Sequence, residues 1–185
     1  MDQLYNKEDI LDFMNSDKVV DKLDINIQYF EQPMDLTPLN GKVKYLIIGR
    51  YTLNNNFNKT LSGLKVDRLR IVIADFLGSE LILPDTNRVR LTIEGKYNLI
   101  NVPKILHVGD IRGITLGNLP ETLILDHVYN LNEIPSGIEN VFVRNINDKP
   151  ALVNPPIKFK FNDREKEYIL FKRDDQNIYI EVNRI

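Results

Sequence analysis

The sequence predicts a mainly β fold: a ladder of parallel strands wound as a solenoid, closed by a short N-terminal helix and a C-terminal β-hairpin. Three observations predict it. Short segments with apolar residues two apart recur from Leu23-x-Ile25 to Phe159-x-Phe161. Their leading residues fall 15 to 23 positions apart, whereas antiparallel hairpins return after about two to five loop residues. Turn signals stand before many of them, as at Asn40-Gly41, Leu83-Pro84, Leu119-Pro120, Ile134-Pro135 and Pro155-Pro156. A unit that cannot bury its apolar edge alone buries it against the next unit, which is the logic of a repeat ladder. The expected organisation is one domain over 1–185, with 1–18 as the helical cap, 19–161 as the ladder and 162–185 as the hairpin cap.

In chain order, a helix is expected from Asn6 to Asn15. Asn6 suits the N-cap, Glu8 and Asp9 suit the positive helix terminus, and Ile10, Leu11, Phe13 and Met14 form an apolar stripe. The first rungs are Leu23-x-Ile25-x-Ile27, Leu46-x-Ile48, Leu69-x-Ile71-x-Ile73 and Leu91-x-Ile93, in steps of 23, 23 and 22 residues. The later rungs lead with Leu106, Leu123, Val141 and Phe159, in steps of 15, 17, 18 and 18. Between Leu106 and Leu125 the pattern is open: Ile111 to Leu116 can be a strand of its own, and Gly109, Gly113 and Gly117 can mark bends. Tyr168 to Phe171 and Ile178 to Val182, separated by the polar run from Lys172 to Asn177, read as the terminal hairpin. Such a hairpin blunts an otherwise open sheet edge.

Composition bounds the function. A hydrophobic share of 43% with 27% charged residues is that of a globular chain rather than a disordered one. The net charge of −2 leaves no overall polycation for nucleic acid. The absence of cysteine rules out disulfides, thiol nucleophiles and Cys-ligated zinc. The opening residues carry no apolar signal-peptide core, and no run reaches the about 18 apolar residues of a membrane span. An intracellular, cytoplasmic protein is the expectation.

Leu46-Ile47-Ile48-Gly49, followed by Phe57-Asn58 and Leu61, resembles one unit of the FNIP repeats, short relatives of the leucine-rich repeat. The Leu-Pro openings at Leu83 and Leu119 resemble the same family, and Phe-Asn in this setting stands only at Phe57-Asn58. The resemblance loosely spans residues 40 to 161. It implies a leucine-rich-repeat-like solenoid used for protein–protein interaction, common in amoebal and giant-virus proteins, and it implies no enzyme.

With the leading apolar residues facing in, alternation places their neighbours outward. The candidate partner-binding face is then Tyr45, Ile47, Arg68, Arg70, Arg90, Thr92, His107, Ile124, Phe142, Arg144, Lys158 and Lys160. Arginine among aromatics is the composition of interface hot spots, and an acidic protein partner suits this face better than nucleic acid. The same residues also fit a solvated strand face whose arginine stems cover apolar neighbours.

No catalytic, metal or cofactor site is expected. Asp126 and His127 are adjacent on a strand and point to opposite faces, and the serines lie in no nucleophile-elbow setting. Neither histidine has metal-ligand spacing. Asn58-Lys59-Thr60 is a formal glycosylation sequon, read as coincidental. Two other readings stay open: a structural subunit of a larger assembly such as a virion, and an all-β enzyme or ligand-binding domain.

Overall fold

The computed structural model describes residues 2–4, 6–27, 33–148, 150–151, 154–161 and 164–182. The chain is mainly β. Its elements are, in order, β1 (Asp2–Leu4), α1 (Lys7–Asn15), β2 (Val20–Asn26), β3 (Val43–Leu53), α2 (Phe57–Leu61), β4 (Arg68–Phe76), β5 (Glu80–Ile82), β6 (Arg88–Ile93) and β7 (Tyr97–Ile100). There follow β8 (Ile105–Val108), β9 (Ile114–Leu116), β10 (Thr122–Leu125), β11 (Asn140–Val143), β12 (Ile157–Phe161), β13 (Arg164–Arg173) and β14 (Gln176–Glu181). Single 3-10 turns lie at Thr37–Leu39 and Leu131–Glu133. The elements group into two compact units, Met1–Lys104 with Gly113–Asn118, and Ile105–Arg112 with Leu119–Ile185.

In the first unit, β1-β2-β3-β4-β6 form a parallel ladder and β5-β7-β9 a second, smaller parallel sheet. This is parallel-strand solenoid stacking. Leu23, Leu46 and Leu69 are register partners, as the 23-residue steps predict. The next rung differs: Leu69 pairs with Val89, and Leu91 pairs with Ile71. The third step is therefore 20 residues rather than 22. Because the error is two residues, inward positions stay inward, and Leu23, Ile25, Leu46, Ile48, Leu69, Ile71, Val89 and Leu91 are all buried.

α1 begins and packs as expected. The Asn6 side chain accepts from the Asp9 amide at 2.8 Å, and Ile10, Phe13 and Met14 are buried while Leu11 is exposed. Its last turn has no basic residue of its own; Lys42 supplies the cation, donating Nζ to the carbonyls of Met14 at 2.8 Å and Ser16 at 2.6 Å. The helix is preceded by β1, which the sequence pattern did not suggest.

Asparagine side chains join successive coils. Asn40 donates to Gly63 O at 2.9 Å and accepts from Lys65 N at 2.6 Å. Asn58 donates to Glu80 O at 3.0 Å and accepts from Ile82 N at 2.8 Å. Asn118 does the same with both backbone groups of Val102, at 2.9 and 2.8 Å. A carboxamide carries a donor and an acceptor, so one side chain satisfies both a carbonyl and an amide of the neighbouring coil. Glycine serves where coils touch most closely. Gly113 has φ of 83°, and a Cβ there would lie 2.9 Å from the carbonyl oxygen of Gly95.

In the second unit the order is β8-β10-β11-β14-β13-β12. The first four strands are parallel, with Leu106, Leu123, Val141 and Ile178 in register, and β13 and β12 are added antiparallel. The rung after Val141 is Ile178 and not Phe159. β12 is instead the outer strand of an antiparallel excursion, β12–β13, inserted before the ladder resumes at β14. The aligned core positions are all aliphatic, and a phenylalanine does not match that layer's volume. The expected terminal hairpin is present as β13–β14, tightened to a two-residue turn at Asp174-Asp175 between Arg173 and Gln176.

That turn is fastened down. Arg173 donates to the carbonyls of Leu131 and Ile134, each at 2.8 Å, and Gln176 Nε2 donates to Pro135 O at 2.9 Å. These carbonyls belong to a 3-10 turn and its exit; Leu131 O also accepts from Ile134 N at 3.2 Å, and the hairpin adds its hydrogen bonds to that turn.

Candidate partner-binding face

The outer face of the first unit's ladder is defined by its register. One row reads Lys22, Tyr45, Arg68, Arg88, and the next Asp24, Ile47, Arg70, Arg90; a third runs through Val72 to Thr92. Arg68 thus lies directly beside Arg88, and Arg70 directly beside Arg90. Four guanidinium-bearing side chains stand on two neighbouring strands.

The surroundings of the four arginines are partly dry. Arg70 and Arg90 are half-buried, Arg68 is exposed and Tyr45 half-buried. Ile47, expected to be exposed, is 6% exposed. Arg70 Nε is buried with no hydrogen-bond partner. Lys22 Nζ lies 5.4 Å from the Tyr45 ring centroid, a cation–π contact that extends the basic row. Asp67 steadies one corner: it is 3.6 Å from Arg68 and accepts from Asn87 Nδ2 at 2.9 Å.

Arg88 is absent from the face read off the sequence. Aligning Leu91 with Leu69 put Arg90 beside Arg68 and left Arg88 outside the rung. The repeated Arg-x-Arg at Arg68–Arg70 and Arg88–Arg90, 20 residues apart, was the signal that sets the register.

In the second unit, three of the expected outward residues are not surface. Phe142 is 5%, Ile124 4% and His107 3% exposed. In a flat sheet β12 and β11, three strands apart, would be separated by about 14 Å. Yet the rings of Phe159 and Phe142 are 5.2 Å apart, with Tyr179 stacked on Phe142 at 4.6 Å and Tyr168 against it edge-on at 5.5 Å. The antiparallel end therefore rolls over the outer face of its own ladder and makes a second core there. Lys166 and Glu181 join it as an ion pair at 2.8 Å. The covering is incomplete, since Phe159 and Ile157 keep 36% and 38% of their surface. Lys158 and Lys160 lie on the opposite side of β12, exposed and in register with Glu167 and Glu165.

His107 finds a partner other than the nearby Asp110. Its Nε2 lies 2.9 Å from Asp126 Oδ1, the same oxygen that accepts from Arg144 NH1 at 2.8 Å. Arg144 is thus half-buried and occupied within its own unit. The arrangement orients His107, and it reads as a satisfied polar cluster on a buried face. On a turn of the same unit, the Arg112 guanidinium stacks 3.8 Å over the Tyr129 ring and binds Asp110 at 2.6 Å. Burial acts to raise the Asp110 carboxyl, but the hydrogen bonds and charge of Arg112 outweigh it and hold Asp110 below the usual carboxylate range.

Burial pushes the Tyr97 hydroxyl upward, and that oxygen has no hydrogen-bond partner in its buried site. Among the described residues, no group of three or more histidine, aspartate or glutamate side chains gathers to hold a metal ion. No helix among them is long and apolar enough to cross a membrane. The sequon reading gains a physical reason: Asn58 Nδ2 is already committed to Glu80 O, and Thr60 is buried with its hydroxyl accepting from Met34 N.

The fold and the face define a parallel β-solenoid with a basic, partly dry patch on one ladder. Comparison with protein-family models, with curated proteins and with solved structures finds no match to this chain.

Proposed function

We propose that this protein is a non-catalytic interaction module, a leucine-rich-repeat-like solenoid of the FNIP kind, that holds an acidic protein partner on the outer face of its first ladder. The observation that carries the reading is the register pairing of Arg68 with Arg88 and Arg70 with Arg90, beside Tyr45 and Ile47. Partly desolvated arginines next to an aromatic ring are the usual anchors of a protein interface. The chain's negative net charge favours a local contact with an acidic protein over a nucleic-acid groove. The Phe57-Asn58 motif supports the family reading, with Phe57 buried and Asn58 bridging coils. A cytoplasmic place accords with this role.

The test is capture from the native source by wild type and by the Arg68→Glu, Arg90→Glu double variant, with thermal melts to show that both fold. A partner retained by wild type and lost by the variant, in a complex that salt weakens, supports the proposal. Equal capture by the two removes it. A second reading, membership in a larger assembly such as a virus particle, is favoured by the outer strand β12, which keeps Ile157 and Phe159 partly exposed. Sedimentation of the purified protein as a monomer at all concentrations counts against that reading.

A further inference from the structure

The geometry points to a particular kind of acidic partner: an extended segment that lies along the strand direction and offers carboxylates at alternate positions, as in Glu-x-Glu. This inference rests on the reading of the arginine face as an interaction surface, and adds the mode of binding.

Two spacings lead to it. Across the strands, register partners in a sheet are about 4.8 Å apart, so Arg68 and Arg88 can grip the two oxygens of one carboxylate between them. Arg70 and Arg90 form a second such pair. Along the strands, residues two apart are separated by about 6.6 Å, and the same distance separates alternate side chains on one side of an extended peptide. A Glu-x-Glu segment parallel to β4 and β6 therefore sets one carboxylate on each arginine pair. Adjacent glutamates point to opposite sides of an extended peptide, and glutamates three apart are about 10 Å apart and also on opposite sides. A peptide crossing the strands meets rows with a 4.8 Å repeat, about 2 Å short of its own period.

Arg70 adds an independent indication. Its Nε is buried and has no hydrogen-bond partner, a condition that usually calls for an explanation. A carboxylate held by the Arg70–Arg90 pair satisfies it with a charge-assisted bond of the planar kind that suits guanidinium. Tyr45 and Ile47 stand in register on the neighbouring strand β3, beside the arginine pairs.

Fluorescence anisotropy with synthetic nonapeptides in a Ser/Thr host tests it. One peptide carries two glutamates at alternate positions, one carries them adjacent, and a uridine oligonucleotide provides the phosphate counterpart. The expected result is about tenfold tighter binding of the alternate peptide than of the adjacent one, and a comparable loss for the Arg70→Gln, Arg88→Gln variant, since a charge-assisted bond is worth about one factor of ten or more. Equal affinity for the two peptides, abolished in the variant, overturns the strand-parallel mode while leaving the basic face as an interaction surface. No binding of either peptide, or binding untouched by the variant, overturns both. Tighter binding of the oligonucleotide than of either peptide replaces the acidic segment with a nucleic acid.

Discussion

Replacing Asn58 with alanine tests how far single carboxamides hold neighbouring coils together. Asn58 makes two backbone bonds to β5, at 3.0 Å to Glu80 O and 2.8 Å to Ile82 N. Each is worth about 0.5–1.5 kcal/mol net, and both lie at an exposed rim, where water can replace them. Alanine is also the better helix former at this position in α2, by about 0.5 kcal/mol. The global cost is then about 1 kcal/mol, a fall in Tm of about 2–4 °C for a chain of this size. The local effect is larger and more telling. The Ile82 amide loses its acceptor altogether, so its hydrogen exchange should quicken about tenfold, while exchange of the core strand amides such as Ile71 changes little. Asn58→Asp separates the two halves of the contact. It keeps an acceptor for Ile82 N but sets a carboxylate against the Glu80 carbonyl, so Ile82 stays protected while Tm falls further. NMR-detected exchange on the three proteins decides the matter. Unchanged protection of Ile82 in the alanine variant would refute the bracket.

Four other substitutions probe the remaining supports. Leu123→Asp puts a carboxylate between Leu106 and Val141, both fully buried; circular dichroism should show loss of the folded state, since an unpaired buried charge costs several kcal/mol. Arg173→Ala removes the bonds to the carbonyls of Leu131 and Ile134 and should cost about 2–3 kcal/mol in urea unfolding, with Arg173→Lys recovering only part because an ammonium cannot span both oxygens. Gly113→Ala forces a methyl against the Gly95 carbonyl at a positive φ and should lower stability by more than 1 kcal/mol, about the ordinary glycine cost plus the clash. Asp110 has a folded pKa below its unfolded value near 4, so its stabilising effect is present above that value and lost as pH falls through and below it. Melts of wild type and Asp110→Asn should therefore differ at pH 7 and draw together as the pH falls below about 4; a gap that stays constant would refute the ion pair's role.

How much of this was legible beforehand follows from what alternation can encode. A period of two says which residues share a face, and Leu23, Leu46 and Leu69 accordingly lie in register. It does not say which pair is opposite which, so Leu91 matched Leu69 as well as Val89 did, and Arg88 was lost with the slip. Nor does it say what covers a face. Phe142, Ile124 and His107 face outward from their ladder and are buried all the same; for Phe142 and Ile124 the reason is that β12 and β13 return over them. The Ile157-Lys158-Phe159-Lys160 alternation fits a rung as well as it fits an antiparallel outer strand, and only pairing distinguishes them. Strands of three or four residues such as β5 and β9 are too short for a period to register. The abundant asparagines carried no pattern of their own, since a carboxamide's partner lies a full coil away along the chain.

The excursion between β11 and β14 has a consequence for how such a chain can change. Val141 and Ile178 sit side by side although 37 residues separate them, where the preceding neighbours, Leu123 and Val141, are 18 apart. A ladder of this kind reads each rung against the one before it and is indifferent to the length of thread between. New material can be spliced in at a coil boundary, and the pleated stack re-engages on the far side with its alignment intact. The fold is thus open to growth by interruption as well as by duplication, and the rolled strands of the second unit occupy one such interruption, with a packing surface of their own.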